Sequence, residues 1–194
     1  MYTSKPSYIL AFHGLDEDIG RKILNGVNDF QHSHNQYDWL GDGIYFWESS
    51  PERARQWAIQ ESKRDGSKIK KPFVLGAILD LKTCLDLLDQ KWIDFLSEAY
   101  QEMKVAIETD GGILPQNQAW NTHDTDFKKR ELDCAVIRFA VELAKERGRD
   151  IDSVRSVFWE GDKLYTDSGF RTHNHIQLAI INPDCIKGIF LPRA

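Results

Sequence analysis

Three short segments carry residue types that could do chemistry. They are His13-Gly14, closing the apolar run YILAFHG, Tyr45 inside GDGIYFW (41–47), and the pair His175 and Gln177 in NHIQLAII near the C-terminus. An imidazole at a strand end can hold or move a proton near neutral pH. An aromatic ring behind a glycine-rich turn can stack on a planar partner, although a lone tyrosine in a strand equally suits a core. Side chains two apart on a strand share a face, so His175 could act beside Gln177 as a base toward a hydroxyl or amine. Among carboxylates, Glu160 in VFWEGDKLY stands at a strand end and Asp42 lies beside Tyr45. Other chemistries find no pattern: the sequence has no phosphate loop, no GxSxG and no HExxH. His32 and His34 have no Cys or acid at ligand spacing, so they read as loop residues and no metal site is expected.

The elements that must position these residues follow from periodicity. YILAFHG reads as a buried strand that delivers His13 at its end. DEDIGRKILNG (16–26) predicts a helix, with acids at its positive end and a glycine stop. NDFQHSHNQYDWL (28–40) has no period and is read as a loop leading into the strand GDGIYFW. SSPERARQWAIQESKRDG (49–66) predicts a helix with a Ser cap, Pro51 in its first turn and Trp57 facing inward. KPFVLGAILDL (71–81) is a strand, and LDLLDQKWIDFLSEAYQEMKVAIE (85–108) has the period of one long amphipathic helix. The stretch 109–126 is irregular and reads as a loop that could form a lid. RELDCAVIRFAVELAKERG (130–148) is a further helix, and SVFWEG, THNHIQLAII and CIKGIFLP are closing strands with a turn at Asn182-Pro183. Early alternation with strands crowding the end, and no GxGxxG or repeating βαβ unit, predicts one α+β domain over residues 1–194.

Composition narrows the function classes. A net charge of −5 argues against holding nucleic acid by bulk electrostatics, and the basic patches SKIKK and FKKRE read as solvated surface. Three widely spaced cysteines (Cys84, Cys134, Cys185) form neither a CxxC pair nor an even disulfide framework, which points to a reducing cytoplasm. The N-terminus lacks the pattern of a signal peptide, and no apolar run approaches the roughly 20 residues that span a bilayer, so no membrane partner is expected.

His13-Gly14, GDGIYF and NHIQLAIINPDCIKGIF, in that order and strand context, resemble the ADP-ribosyltransferases of the diphtheria-toxin and poly(ADP-ribose) polymerase type. That class carries a His-Tyr-Glu signature. His13 with Gly14 matches its first part and Tyr45 its second, while the third falls on Gln177 in place of glutamate. The family's second aromatic corresponds to Trp57, one position later than the usual tyrosine spacing. The resemblance implies a single-domain ADP-ribosyltransferase-like α+β fold, with split mixed and antiparallel sheets and flanking helices. It implies NAD as co-substrate and no metal, and the chain is also similar to small bacterial toxins of toxin–antitoxin and anti-phage systems. A macromolecular acceptor, protein or nucleic acid, and an antitoxin protein are the implied partners.

The roles implied by the resemblance follow the chemistry. Breaking the nicotinamide glycosidic bond creates an oxocarbenium-like ribose, so the leaving ring must be held flat and the ribose hydroxyls fixed. His13 would bind the adenosine ribose, and the backbone of Gly14 would approach the nicotinamide amide. Tyr45 would stack on nicotinamide with Trp57 opposite, and Gly43 and Phe46 would line the cofactor site. Gln177 keeps the family glutamate's hydrogen bond and loses its charge, which Glu160 or, less directly, Asp42 would then supply. His175 occupies the acceptor-selecting position, where a histidine disfavours arginine as acceptor. An NAD glycohydrolase, a non-catalytic NAD or ADP-ribose binding module, and an interaction domain in which the motifs only pack are the competing readings.

Overall fold

The structure is a computed structural model that describes residues 7–119 and 129–193. It is an α+β protein with a mixed sheet and four helices, helices and strands being counted among the described residues. The strands are β1 (Ile9–Asp16), β2 (Ile44–Glu48), β3 (Pro72–Leu79), β4 (Cys84–Asp86), β5 (Asn117–Gln118), β6 (Lys129–Arg130), β7 (Ser153–Phe158), β8 (His175–Ile180) and β9 (Ile186–Phe190). The helices are α1 (Glu17–Leu24), α2 (Pro51–Ser62), α3 (Gln90–Thr109) and α4 (Glu131–Glu146). Seven strands hydrogen-bond in the order β4-β7-β8-β2-β1-β3-β9, and β5 pairs with β6 in a separate ribbon. The expected split into separate sheets is therefore corrected to one main sheet. A trace of the split survives at the β1–β2 junction, where only Ala11↔Glu48 and Phe12↔Trp47 pair.

Strand alternation sorts the core into layers. On one face Ala11, Leu15, Ile44, Phe46, Leu75 and Ala77 pack with Ile23 of α1 and with Phe30. On the other, Phe12, Trp47 and Val74 take Ala54 of α2, while Leu85, Val154, Phe158 and Ala179 take α3 and α4. Gly14 explains how closely α2 can approach: a Cβ there would run into the Ala54 carbonyl and lie 3.2 Å from Trp57. That glycine is required by helix packing, whatever else its backbone does.

Local chemistry sets the element ends. Asp16 caps α1 through the Asp18 N–H and also accepts from Lys70 and Lys71 N–H, so the SKIKK patch serves partly as backbone donors to one carboxylate. The long helix expected from Leu85 starts later, at Gln90 behind the cap Asp89. Its first residues instead form β4, which pairs in parallel with β7, because Leu85 buries fully against Val154 in strand form. Arg130 gives α4 no side-chain cap, and Asn117 supplies one from β5 by accepting from Leu132 and Asp133 N–H. The last part of the expected lid, residues 120–126, lies outside the described residues, as do Phe127 and Lys128 of FKKRE. No helix among the described residues is long and apolar enough to cross a membrane.

Candidate functional site at the β1–β2 opening

The β1–β2 ladder stops because a side chain takes over a backbone position. Leu10 accepts from Ser49 N–H across the junction, so alternation aims the N–H and C=O of Leu10, Phe12 and Gly14 toward β2. The next ladder partner of Gly14 would be Tyr45. Its carbonyl instead accepts from His13 Nδ1 at 2.6 Å, a contact that fixes the proton on Nδ1. Gly14 therefore faces the opening with a backbone donor and acceptor that no β2 residue pairs. Further along, Gly43 of β2's approach exchanges both backbone hydrogen bonds with Ser33, which closes the other border of the opening.

His13 is gripped from both sides. Its ring packs edge-on against Phe30 (centroids 5.1 Å) and tilted against Phe46 (5.5 Å). Burial pushes its pKa down, partly countered by the hydrogen bond to Tyr45, so at neutral pH the ring is neutral with Nε2 as an acceptor. Phe46 is fully buried and packs against the His13 ring from within the core, behind the cofactor site that it was expected to line. At Gly43, also expected to line the cofactor site, the N–H and C=O are both bonded to Ser33 and a Cβ would meet the Ala179–Ile180 backbone of β8 at 3.0–3.2 Å.

Tyr45 has a structural duty and an exposed part. Its hydroxyl donates to the Gly41 carbonyl (2.7 Å) and accepts from Leu40 N–H (2.9 Å), tying the GDG turn to β2. Burial lifts its pKa well above the usual phenol value, so it stays protonated. Gly41, at φ 72°, supplies the left-handed turn that makes this loop reachable. Asp42 is held by Arg138 (2.9 Å) and His34 (3.3 Å), which staples the same loop to α4. Trp57 does face inward on α2, beside Gly14, but its ring neighbour is Trp47 (5.5 Å).

Gln177 sits in the middle of β8, opposite Trp47 on β2 and Ser156 on β7, and alternation puts all three side chains on the α2, α3 and α4 face. His13 belongs to the other face, so the motif residues meet only where the strands part. Glu160 does not bring a free charge to this place. Its carboxylate pairs with Arg53 of α2 at 2.8 Å, with both side chains largely buried. His175, expected to select the acceptor, is 8% exposed, stacks on Phe158 and donates Nδ1–H to the His173 carbonyl. Burial lowers its pKa, which makes it a neutral ring inside the wall.

Sequence reasoning missed Arg53 and Trp47. They own the two buried side-chain polar atoms without a hydrogen-bond partner among the described residues, Arg53 Nε and Trp47 Nε1. Nothing in a helix reading marks Arg53, and Trp47 reads as one more strand apolar. Thiol chemistry is not offered, since burial pushes Cys84 up to about 11 and raises Cys134 and Cys185 as well. Among the described residues no group of His, Cys, Asp and Glu is placed to hold a metal ion. Compared with protein-family models, with curated proteins and with solved structures, the chain finds no match.

Proposed function

We propose that the protein is an NAD-dependent mono-ADP-ribosyltransferase acting on a macromolecular acceptor, of the toxin or phage-defence kind. One observation carries the reading: the opening at Gly14. A primary carboxamide has an N–H donor and a C=O acceptor on the same side, with a second N–H to spare, so nicotinamide can donate to the Gly14 carbonyl and accept from the Gly14 N–H in place of the missing β2 residue. Trp57 flanks Gly14 on the α2 side, which suits a planar ring. His13 Nε2 is the acceptor left for a ribose hydroxyl, and the Gln177 carbonyl can take another. In the reaction the bond between nicotinamide nitrogen and ribose C1′ breaks, with its electron pair leaving on nicotinamide. A bond from C1′ to an acceptor oxygen or nitrogen forms, and the acceptor's proton passes to solvent.

The β7–β8 connection supports a macromolecular acceptor over water. Trp159, Leu164, Tyr165 and Phe170 are exposed there, on the chain that leads into His175 and Gln177. A second reading, NAD or ADP-ribose binding without turnover, is favoured by the paired state of the candidate carboxylates, Glu160 with Arg53 and Asp42 with Arg138. Incubation with NAD labelled on the adenylate phosphate, alone and with protein extract, total RNA or single-stranded DNA, separates the readings. Label on a macromolecule with nicotinamide release is the expected result. Free ADP-ribose alone would mark a glycohydrolase, and binding without nicotinamide release would leave only the binding module.

A further inference from the structure

β7 outruns the strand beside it. β4 pairs with β7 only from Cys84↔Ser153 to Asp86↔Arg155, and β7 continues to Phe158. Leu87 N–H donates to the Arg155 carbonyl, so Arg155 faces β4, and Val157 faces the same edge two residues on. Trp159 continues that edge, because the Glu160 carbonyl after it turns to the β8 side and accepts from His173 N–H. Among the described residues neither the Val157 nor the Trp159 N–H has a backbone partner, and the Val157 carbonyl accepts only from Ser156 Oγ, at 3.4 Å. Both side chains are exposed, 47% for Val157 and 63% for Trp159. Free main-chain groups flanked by exposed apolar side chains form a template for one more strand.

A cavity of about 430 Å³ lies along this edge, between α3, α4 and β7, with Trp39, Leu87, Leu96, Ile137 and Phe158 in its lining. The charged groups of the lining, Arg130 and Asp133, pair with each other at 3.3 Å. Asp133 also accepts from Asn117 Nδ2 at 2.8 Å, and the Arg130 guanidinium lies over the Trp39 and Phe158 rings. The charges of the lining thus cancel, which suits a neutral apolar side chain and penalises burial of a charged one. We infer that the β7 edge takes up an extended segment of a polypeptide partner, which adds a strand where β4 stops. The added main chain pairs with Val157 and Trp159. Alternation drops an apolar side chain into the cavity and sets its neighbours on the face of Val157 and Trp159. A nucleic acid has no matching row of alternating N–H and C=O groups, so the edge selects polypeptide. Neither the edge nor the cavity depends on NAD chemistry.

The probe is a blocked heptapeptide, Lys-Thr-Leu-Val-Leu-Thr-Lys, titrated into the isotope-labelled whole protein and followed by NMR. Saturable binding is expected, with the Val157 and Trp159 amides shifting and exchanging more slowly with solvent. Replacing both leucines of the peptide by serine should weaken binding by about tenfold or more, the worth of one buried apolar side chain. N-methylating one alternate set of peptide amides should abolish binding, and methylating the complementary set should spare it, because only one set faces β7. Ser97→Trp fills the cavity from an exposed α3 position and should weaken binding by about the same factor, with its fold checked by melting temperature. The wild-type titrations decide the matter if that variant unfolds. Unshifted Val157 and Trp159 amides at millimolar peptide would overturn the inference. Equal binding by both methylated peptides would also overturn it, marking the cavity as a site for small apolar molecules. A concentration-dependent dimer that protects the Val157 amide without peptide would do the same by seating a second copy at the edge.

Discussion

The two edges of β1 have opposite fates. Toward β3, all eight residues from Ile9 to Asp16 find antiparallel partners. Toward β2, register pairs are limited to Ala11 and Phe12, with one further bond from Ser49 N–H to the Leu10 carbonyl. One strand thus supplies a closed ladder on one side and an interrupted one on the other. The closed edge is backed by hydrophobic packing on both faces and ends at Asp16, whose carboxylate holds α1 and the loop before β3. The open edge ends at His13, whose ring has replaced the Gly14 amide at the Tyr45 carbonyl. The difference teaches that the opening does not arise from weak strand propensity, since the same residues pair fully on the other side. A specific side-chain bond stops the ladder.

Four substitutions test this contrast, from the largest expected effect to the smallest. Gly14→Ala places a methyl against the Ala54 carbonyl, and urea unfolding is expected to show a loss of about 3 kcal/mol, at the upper end of overpacking costs. An unchanged midpoint would mean that α2 does not press on β1 as described. Asp16→Asn attacks the closed edge. The backbone N–H of Lys71 is the first cause holding the Asp16 carboxyl below its usual range, followed by those of Lys70 and Asp18 against an opposing effect of burial. Because the folded-state pKa is depressed, the stability it contributes is present above the unfolded value near 3.9 and is lost as pH falls through the folded value. The variant should lose about 2 kcal/mol at neutral pH and show a flatter acid limb of stability against pH; an acid limb identical to wild type would reject the assignment.

His13→Ala tests the open edge directly. With the imidazole gone, the Tyr45 carbonyl becomes available and the ladder can add the Gly14 pair. Hydrogen exchange at the Gly14 amide should then slow by about fivefold, the worth of one net hydrogen bond of about 1 kcal/mol. If Gly14 exchange is already slow in wild type, the opening is closed in solution and the proposed amide contact loses its ground. Trp47→Phe should have the smallest effect on folding. It removes an indole N–H that has no partner among the described residues, so thermal unfolding is expected within about 1 kcal/mol of wild type, or slightly more stable. A clear loss of stability would show that this donor is satisfied after all. Should NAD turnover be detected, a fall in nicotinamide release by Trp47→Phe at unchanged stability would make Trp47 a positioning residue for Gln177, which faces it across the β2–β8 ladder.

Much was legible from the chain alone where one physical rule dominates. The strands carrying His13, Tyr45 and Gln177 follow from short apolar runs bounded by turn residues. The ends of α1 and α2 follow from the acids at 16–18, Pro51 in the first turn and glycines just beyond. β4 was not legible, because Leu85, Leu87 and Leu88 fit a helical stripe until β7 offers a parallel partner. Glu160 shows the same limit in chemistry. A carboxylate at a strand end looks available in sequence, and only the packing of α2 puts Arg53 against it.

By itself the sequence determined which residue types stand at strand ends and on which side of each strand they fall, because alternation and capping are local and need no partner. What only the tertiary structure decided is which of those residues remain available. Phe46 and Gly43 are consumed by the core and by Ser33, and Glu160 by Arg53, while Gly14 keeps its backbone edge because the His13 ring, 32 residues away from Tyr45 in sequence, took the carbonyl first. Availability depends on hydrogen bonds and ion pairs between distant segments, and those exist only once the sheet is assembled.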